Sequence, residues 1–130
     1  MKQRILVVED NEDLQEVLHR GLEFLGYEVT KAKTGAVAVQ MATSEPLPDL
    51  VIMDIILPKM SGLEAAREIR KNPKTKDLPI LAATAKAMPG DRERCLASGF
   101  DGYIAKPFTF QELGAAIKRL LTPIRKKKGG

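Results

Sequence analysis

The sequence has 130 residues, of which 44% are hydrophobic and 29% charged, a composition typical of one globular domain with its own core. No apolar run approaches the roughly 20 residues of a membrane-spanning helix, the N-terminus lacks the apolar core of a signal peptide, and the lone Cys95 excludes an internal disulfide, so we expect a cytoplasmic protein. The basic run Arg125–Lys128 accounts for the net charge of +4 and contains no aromatic residue, so we expect a solvated tail or linker there and no nucleic-acid contact.

The chain begins with a strand and a helix. Residues 5–8 are continuously apolar, which is typical of a strand covered on both faces. Apolar residues at helical spacing follow, in a helix that Asn11 or Asp13 can cap and that Gly26 ends. The more polar residues 27–32 then indicate a strand at the edge of a sheet.

The middle of the chain repeats the same alternation. The pattern predicts a helix over residues 35–44, a strand over 49–54, a helix over 61–71, a strand over 79–84 and a short helix over 89–98. Proline or glycine follows each of the three helices, as expected for residues that end helices.

A last strand over residues 102–105 and a helix from the cap Thr109 to Leu121 complete five strand–helix units. Such alternation implies right-handed crossovers and a doubly wound parallel α/β sheet. The polar second strand fits the flavodoxin-like strand order 2-1-3-4-5. We expect residues 1–122 to form this domain and residues 123–130 to be its basic tail or a linker.

Polar side chains stand where four of these strands end. They are Glu9 and Asp10, Asp54, Thr84, and Lys106. The carboxyl ends of parallel strands meet at one edge, with neighbours about 5 Å apart, so these groups should converge. Three carboxylates there would repel by about 4 kcal/mol per pair at about 4 Å and an effective dielectric of about 20. The ammonium of Lys106 offsets one charge, and a hard divalent cation such as Mg²⁺ suits oxygen ligands without His or Cys.

Such a pocket suits phosphoryl transfer onto a carboxylate. Asp54 would be the nucleophile, Lys106 would supply a point charge for the incoming oxygens, and Thr84 would supply a hydroxyl donor. Each feature has an ordinary alternative when taken alone. The acidic pair can simply favour the positive end of the first helix, and Lys106-Pro107 can be a turn. The combination at one sheet edge is what points to a site.

Together these residues resemble the receiver (CheY-like) domain of two-component response regulators. The resemblance spans about residues 4–121. It is carried by Glu9-Asp10, Asp54 with Pro58 and Gly62 beyond it, Thr84-Ala85, Tyr103, and Lys106-Pro107-Phe108. One departure is Glu9, where the family more often has Asp.

The resemblance implies that Asp54 accepts a phosphoryl group from a histidine on a partner kinase or phosphotransfer protein. It also implies a magnesium site, with Asp10, Asp54 and the main-chain carbonyl of Ile56 as direct ligands and Glu9 acting through water. The Lys106-Pro107 peptide bond is expected to be cis.

The resemblance further implies a switch. Phosphorylation would draw the hydroxyl of Thr84 toward the phosphoryl group, and Tyr103 would turn inward into the vacated space. This would change the face that the fourth helix, fifth strand and fifth helix present to a downstream protein, a shift between two packings. Dimerisation on phosphorylation is left open.

Two other functions are compatible with the fold. A flavin-binding electron carrier would need phosphate-binding donors after the first strand, but residues 9–13 form an acidic loop there. A phosphatase with an aspartate nucleophile needs a second acid two residues further on, where this chain has Ile56. Within the receiver interpretation, a free-standing regulator and a receiver taken from a hybrid kinase or longer regulator both remain open.

Overall fold

The structure is a computed structural model that describes residues 2–85 and 89–122. Strands and helices alternate along the described chain. The strands are β1 (Arg4–Val8), β2 (Glu28–Ala32), β3 (Leu50–Met53), β4 (Ile80–Thr84) and β5 (Gly102–Ala105). The helices are α1 (Glu12–Phe24), α2 (Gly35–Ala42), α3 (Gly62–Lys71), α4 (Asp91–Ala97) and α5 (Phe110–Leu120), with a 3-10 turn at Pro73–Thr75. The predicted tail, residues 123–130, lies outside the described residues.

The strands form one parallel sheet in the order β2-β1-β3-β4-β5, which confirms the predicted flavodoxin-like fold. In the register of the sheet, Val8 stands beside Ala32 of β2 and Met53 of β3. The strand order reverses at β1, so the carboxyl ends of β1 and β3 flank the crevice in which ligands bind in open α/β sheets.

Helices cover both faces of the sheet. Leu6 and Val8 of β1 join a core cluster with α2, α3 and α4, whereas Ile5 and Val7 join a second cluster with α1 and α5. Full burial of such a side chain is worth roughly 1.5–3 kcal/mol, so a slip by one residue would be costly on both faces. Burial on both faces therefore fixes the register of the strands, and with it the position at which each strand ends.

Helix and strand boundaries refine the prediction at three places. Asn11 is the cap of α1, since its side chain accepts a hydrogen bond from the N–H of Leu14 at 2.9 Å. β3 stops at Met53, which leaves Asp54 as the first residue beyond the strand. α4 is shorter than predicted because Gly90 has a φ of 87°, a left-handed conformation that a right-handed helix does not contain.

No helix within residues 2–85 and 89–122 is both long and apolar enough to span a bilayer.

Candidate functional site

The three predicted carboxylates converge at the carboxyl edge of the sheet. One carboxylate oxygen from each of Glu9, Asp10 and Asp54 lies within 4.8 Å of the others. Glu9 and Asp54 are 4% and 9% exposed, whereas Asp10 lies open to solvent. The site thus has two buried carboxylates at its base and one at its rim, which a ligand can reach from outside.

Lys106 joins the two buried carboxylates. Its ammonium donates to Oε1 of Glu9 at 2.9 Å and to Oδ2 of Asp54 at 3.2 Å. Its backbone N–H donates to the carbonyl of Thr84 at 2.8 Å, which continues the β4–β5 pairing. The Lys106–Pro107 peptide bond is cis.

The electrostatic environment of Lys106 favours its charged form. Burial of the ammonium lowers its pKa, but the hydrogen bond to Glu9 and the negative charges of Asp54 and Glu9 outweigh that effect, so its pKa lies above the ordinary value of 10.5. Lys106 is therefore a cation at any physiological pH and a fixed partner of the two carboxylates.

Backbone contacts fix the position of Asp54. Its N–H donates to the carbonyl of Val8 at 3.1 Å, which ties it to the end of β1. Its Oδ1 accepts the N–H of Ile56 at 2.9 Å, so the loop after β3 turns back over the carboxylate. The first turn of α3 closes the loop, since the N–H of Gly62 donates to the carbonyl of Ile55 at 3.0 Å.

Glu9 is fixed in a similar way. Its N–H donates to the carbonyl of Ala32 at 3.1 Å, and its Oε2 accepts the N–H of Asn11 at 3.2 Å. With Oε1 on Lys106, both carboxylate oxygens already have partners. The longer glutamate side chain therefore reaches across to Lys106 and stays at the base of the site.

Gln15 is a residue that the sequence analysis missed. Its buried carboxamide donates to the carbonyls of Glu9 and Ala32 at 3.1 and 3.0 Å. The available signal was a polar residue at helical spacing from the core residues Leu18 and Leu22. A buried amide is costly unless it is hydrogen-bonded, so its place in the apolar stripe of α1 indicated that it has buried hydrogen-bond partners.

The two predicted switch residues lie on β4 and β5. Thr84 ends β4 with a fully buried side chain. Tyr103 is half-buried in β5, and the guanidinium of Arg92 on α4 lies 5.8 Å from the centre of its ring. Burial raises the pKa of Tyr103, and its buried hydroxyl has no hydrogen-bond partner among the described residues.

The donor set fits a hard divalent cation. Three carboxylates lie together and the ammonium of Lys106 bonds to only two of them, so negative charge is in excess, and Asp10 stands at the exposed rim. A set of carboxylate oxygens is what Mg²⁺ prefers, and its remaining positions are usually taken by water or phosphate. That the Ile56 carbonyl completes the ligands stays a prediction, as do the individual roles of Asp54, Thr84 and Lys106.

An apolar groove of about 400 Å³ runs beside the acidic site. It is lined by α1, by Ala85 after β4 and by the loop after β5, which includes Lys106. Its apolar walls come from Leu14, Val17, Leu18, Ala85, Pro107, Phe108 and Phe110.

This combination of a 2-1-3-4-5 sheet, an acidic cluster after β1 and β3, and a lysine after β5 defines the class of phosphoacceptor receiver domains. The response regulator receiver domain family matches residues 5–118, and the chain belongs to this family.

Relatives of known sequence carry the same domain. The chain is 43% identical over 121 residues to the phosphate regulon transcriptional regulatory protein PhoB of Rhizobium meliloti, covering 93% of this chain and 53% of that protein. It is 40% identical over 121 residues to the response regulator MprA of Mycobacterium ulcerans, covering 93% of this chain and 51% of that protein. The chain thus spans about half the length of these relatives.

Solved structures agree with the fold. The receiver domain of the sensor histidine kinase PA1611 from Pseudomonas aeruginosa, determined with a magnesium ion in its active site cleft, is similar with a TM-score of 0.86 and 42% identity, covering 93% of this chain and 98% of that one. The chemotaxis protein CheY4 of Vibrio cholerae is similar with a TM-score of 0.86 and 28% identity, covering 92% of this chain and 99% of that one.

Proposed function

We propose that Asp54 accepts a phosphoryl group from a phosphohistidine on a partner kinase or phosphotransfer protein, in a reaction that depends on Mg²⁺. The observation that carries this proposal is the convergence of Glu9, Asp10 and Asp54 within 4.8 Å, with the ammonium of Lys106 bonded to two of them. The magnesium ion in the receiver domain of PA1611 supports the choice of cation.

In the proposed transfer, a carboxylate oxygen of Asp54 forms a bond to phosphorus, the bond between phosphorus and the histidine nitrogen breaks, and an acyl phosphate results. A bound Mg²⁺ would supply positive charge for the phosphoryl oxygens, with Asp10, Asp54 and the Ile56 carbonyl as its protein ligands. Lys106 already lies 3.2 Å from Asp54 and can pass its hydrogen bond to a phosphoryl oxygen. Such catalysis consists mostly of positioning and electrostatics.

Thr84 and Tyr103 would convert this local change into a signal. Thr84 lies at the end of β4, one strand from Asp54, where its hydroxyl can follow the new phosphoryl group. Tyr103 lies on the neighbouring strand against α4. We infer that the surface of α4, β5 and α5 changes on phosphorylation and binds a downstream protein.

We infer a phosphorylated signalling domain and not a turnover phosphatase. A phosphatase of the aspartate type needs a second acid two residues after its nucleophile, to protonate the leaving group. This chain has Ile56 there, with a half-exposed apolar side chain. Rapid hydrolysis of small phosphate esters would overturn this part of the proposal.

The apolar groove beside Lys106 suits the docking of the donor protein. Lys106, which donates to Asp54, is one of its lining residues, and the other lining residues are apolar, with Phe108 and Phe110 among them. We also propose a cytoplasmic location, a receiver domain over residues 1–122 and no nucleic-acid contact by this chain. PhoB is named as a transcriptional regulatory protein, but this chain matches only 53% of its length. The name of PhoB therefore does not show that this chain contacts nucleic acid.

Phosphotransfer from a panel of autophosphorylated histidine kinases tests the proposed function. The wild-type protein should take up one phosphoryl group from at least one kinase. Asp54→Asn should take up none, while Asp77→Asn, which alters an exposed aspartate, should behave like the wild type. Transfer to Asp54→Asn at the wild-type rate would refute the assignment.

A further inference from the structure

One buried carboxamide joins the loop that carries Glu9 and Asp10 to the neighbouring strand. Gln15 lies on the inner side of α1, and its Nε2 donates to the carbonyl of Glu9 at 3.1 Å and to the carbonyl of Ala32 at 3.0 Å. These carbonyls lie at the ends of β1 and β2, where Val8 and Ala32 form the last residue pair.

Both N–H groups of the Gln15 amide donate hydrogen bonds at the point where the chain leaves β1. The carbonyl of Ala32 also accepts the N–H of Glu9 at 3.1 Å, so Gln15 closes a small network that includes the first site residue. Buried amides are retained where such partners are present, since an unpaired one costs free energy.

The bond to the Glu9 carbonyl bears on Asp10. That carbonyl belongs to the planar peptide unit that also contains the nitrogen and α-carbon of Asp10. Holding the carbonyl toward Gln15 therefore sets the direction in which the chain enters Asp10. Asp10 is the exposed member of the acidic cluster, and its side chain has no buried surroundings of its own to hold it.

We propose that Gln15 is a positioning residue for the cation site, which acts through the Glu9–Asp10 peptide unit and does not itself touch the cation. The inference rests on the proposed function, because it assumes that the acidic cluster binds Mg²⁺. Groups that orient the ligands of a metal typically change metal affinity by about 10–100-fold when they are replaced.

The direct test is Gln15→Met, which keeps the length of the side chain and removes its two donors. Calorimetric titration with Mg²⁺ should show an affinity about 10–100-fold below that of the wild type. Labelling by a small phosphodonor should need correspondingly more Mg²⁺ for half-maximal extent and should reach the wild-type extent at saturating Mg²⁺.

Thr75→Val is a matched control. Thr75 is buried, and its hydroxyl donates to the carbonyl of Ile69 at 2.6 Å in the turn before β4, at the opposite edge of the sheet. Both variants lose a buried bond from a side chain to a main-chain carbonyl, so both should melt at lower temperature than the wild type. Only Gln15→Met should change the Mg²⁺ affinity.

A second variant covers the case in which Gln15→Met does not fold. Gln15→Asn keeps the amide but is one methylene shorter, so it cannot reach both carbonyls, and its Mg²⁺ affinity should also fall. Wild-type Mg²⁺ affinity in a folded variant of either kind would overturn the role of Gln15 alone. Absence of Mg²⁺ binding and of labelling in the wild type would instead overturn the proposed function and this inference with it.

Discussion

Gly62 lies directly against the main-chain carbonyl of Asp54. A β-carbon built on Gly62 would stand 2.3 Å from that oxygen and 2.7 Å from the α-carbon of Ile55. Ser61 and Glu64 form a capping box that starts α3 at this point, and its first turn can come this close to Asp54 because Gly62 has no β-carbon. The absence of a side chain at Gly62 is thus a condition for the geometry of the acceptor residue.

We predict that Gly62→Ala lowers the free energy of unfolding by roughly 1–3 kcal/mol, the usual cost of inserting a group into a filled space. Since the added methyl group must push against Asp54, Mg²⁺-dependent labelling should also fall. Urea denaturation and phosphodonor labelling measure the two effects.

Gly114→Ala is the matched control. A β-carbon there would lie 3.5 Å from Leu25, at ordinary contact distance, in the interior of α5. The substitution should stabilise the protein by roughly 0.5–1 kcal/mol and leave labelling unchanged. Equal effects of the two alanines would show that Gly62 has no special relation to Asp54.

We predict that Lys106→Met lowers the free energy of unfolding by roughly 1–3 kcal/mol without Mg²⁺, because Glu9 and Asp54 lose the donor they share. The same variant should bind Mg²⁺ more tightly than the wild type, since a competing positive charge has been removed, and should accept phosphate more slowly. Lys71→Met, which breaks an exposed pair with Glu68, should change neither Mg²⁺ affinity nor labelling. Weaker Mg²⁺ binding by Lys106→Met would contradict the electrostatic description of the site.

The contribution of Lys106 to stability should persist far into the alkaline range. Its pKa in the folded protein lies above the ordinary value of 10.5, so its stabilisation is fully present below that value and is lost as the pH rises through the raised pKa. The difference in unfolding free energy between the wild type and Lys106→Met, measured without Mg²⁺, should therefore stay constant from neutral pH upward. It should decrease only when the pH rises through the raised pKa of Lys106. A difference that disappears close to neutral pH would be inconsistent with this environment.

Removing the hydroxyl of Tyr103 should cost almost no stability. The hydroxyl is buried without a hydrogen-bond partner among residues 2–85 and 89–122, so Tyr103→Phe should leave the free energy of unfolding unchanged or raise it by up to about 1 kcal/mol. Tyr103→Leu, which also removes the ring beside Arg92, should destabilise the protein. A large loss of stability in the phenylalanine variant would reveal a hydrogen bond to this hydroxyl.

The strand order and the location of the site could be predicted because they depend on patterns that the sequence displays. The apolar runs and the polar residues that follow them fix the strands and their ends, and parallel pairing then brings those ends together. Contacts between segments that are far apart along the chain leave no such pattern in the sequence. The bridge from Lys106 to Glu9 joins residues 97 positions apart, and it depends on a side-chain direction that only the folded chain defines.

Gln15 and Gly62 illustrate the same limit. A polar residue among leucines signals that Gln15 has a buried partner, but not that the partner is the carbonyl of Glu9. Gly62 was part of the resemblance, but only the structure shows that it faces the Asp54 carbonyl.

The most direct test of the central claim is the phosphoryl occupancy of Asp54 as a function of Mg²⁺ concentration, measured by mass spectrometry after treatment with a small phosphodonor. We predict a single modification, at Asp54, that rises to saturation with Mg²⁺, is absent when the metal is chelated, and disappears in Asp10→Ala. Full modification of Asp54 without a divalent cation, or modification of another residue in its place, would contradict the claim that these carboxylates form one cation-dependent acceptor site.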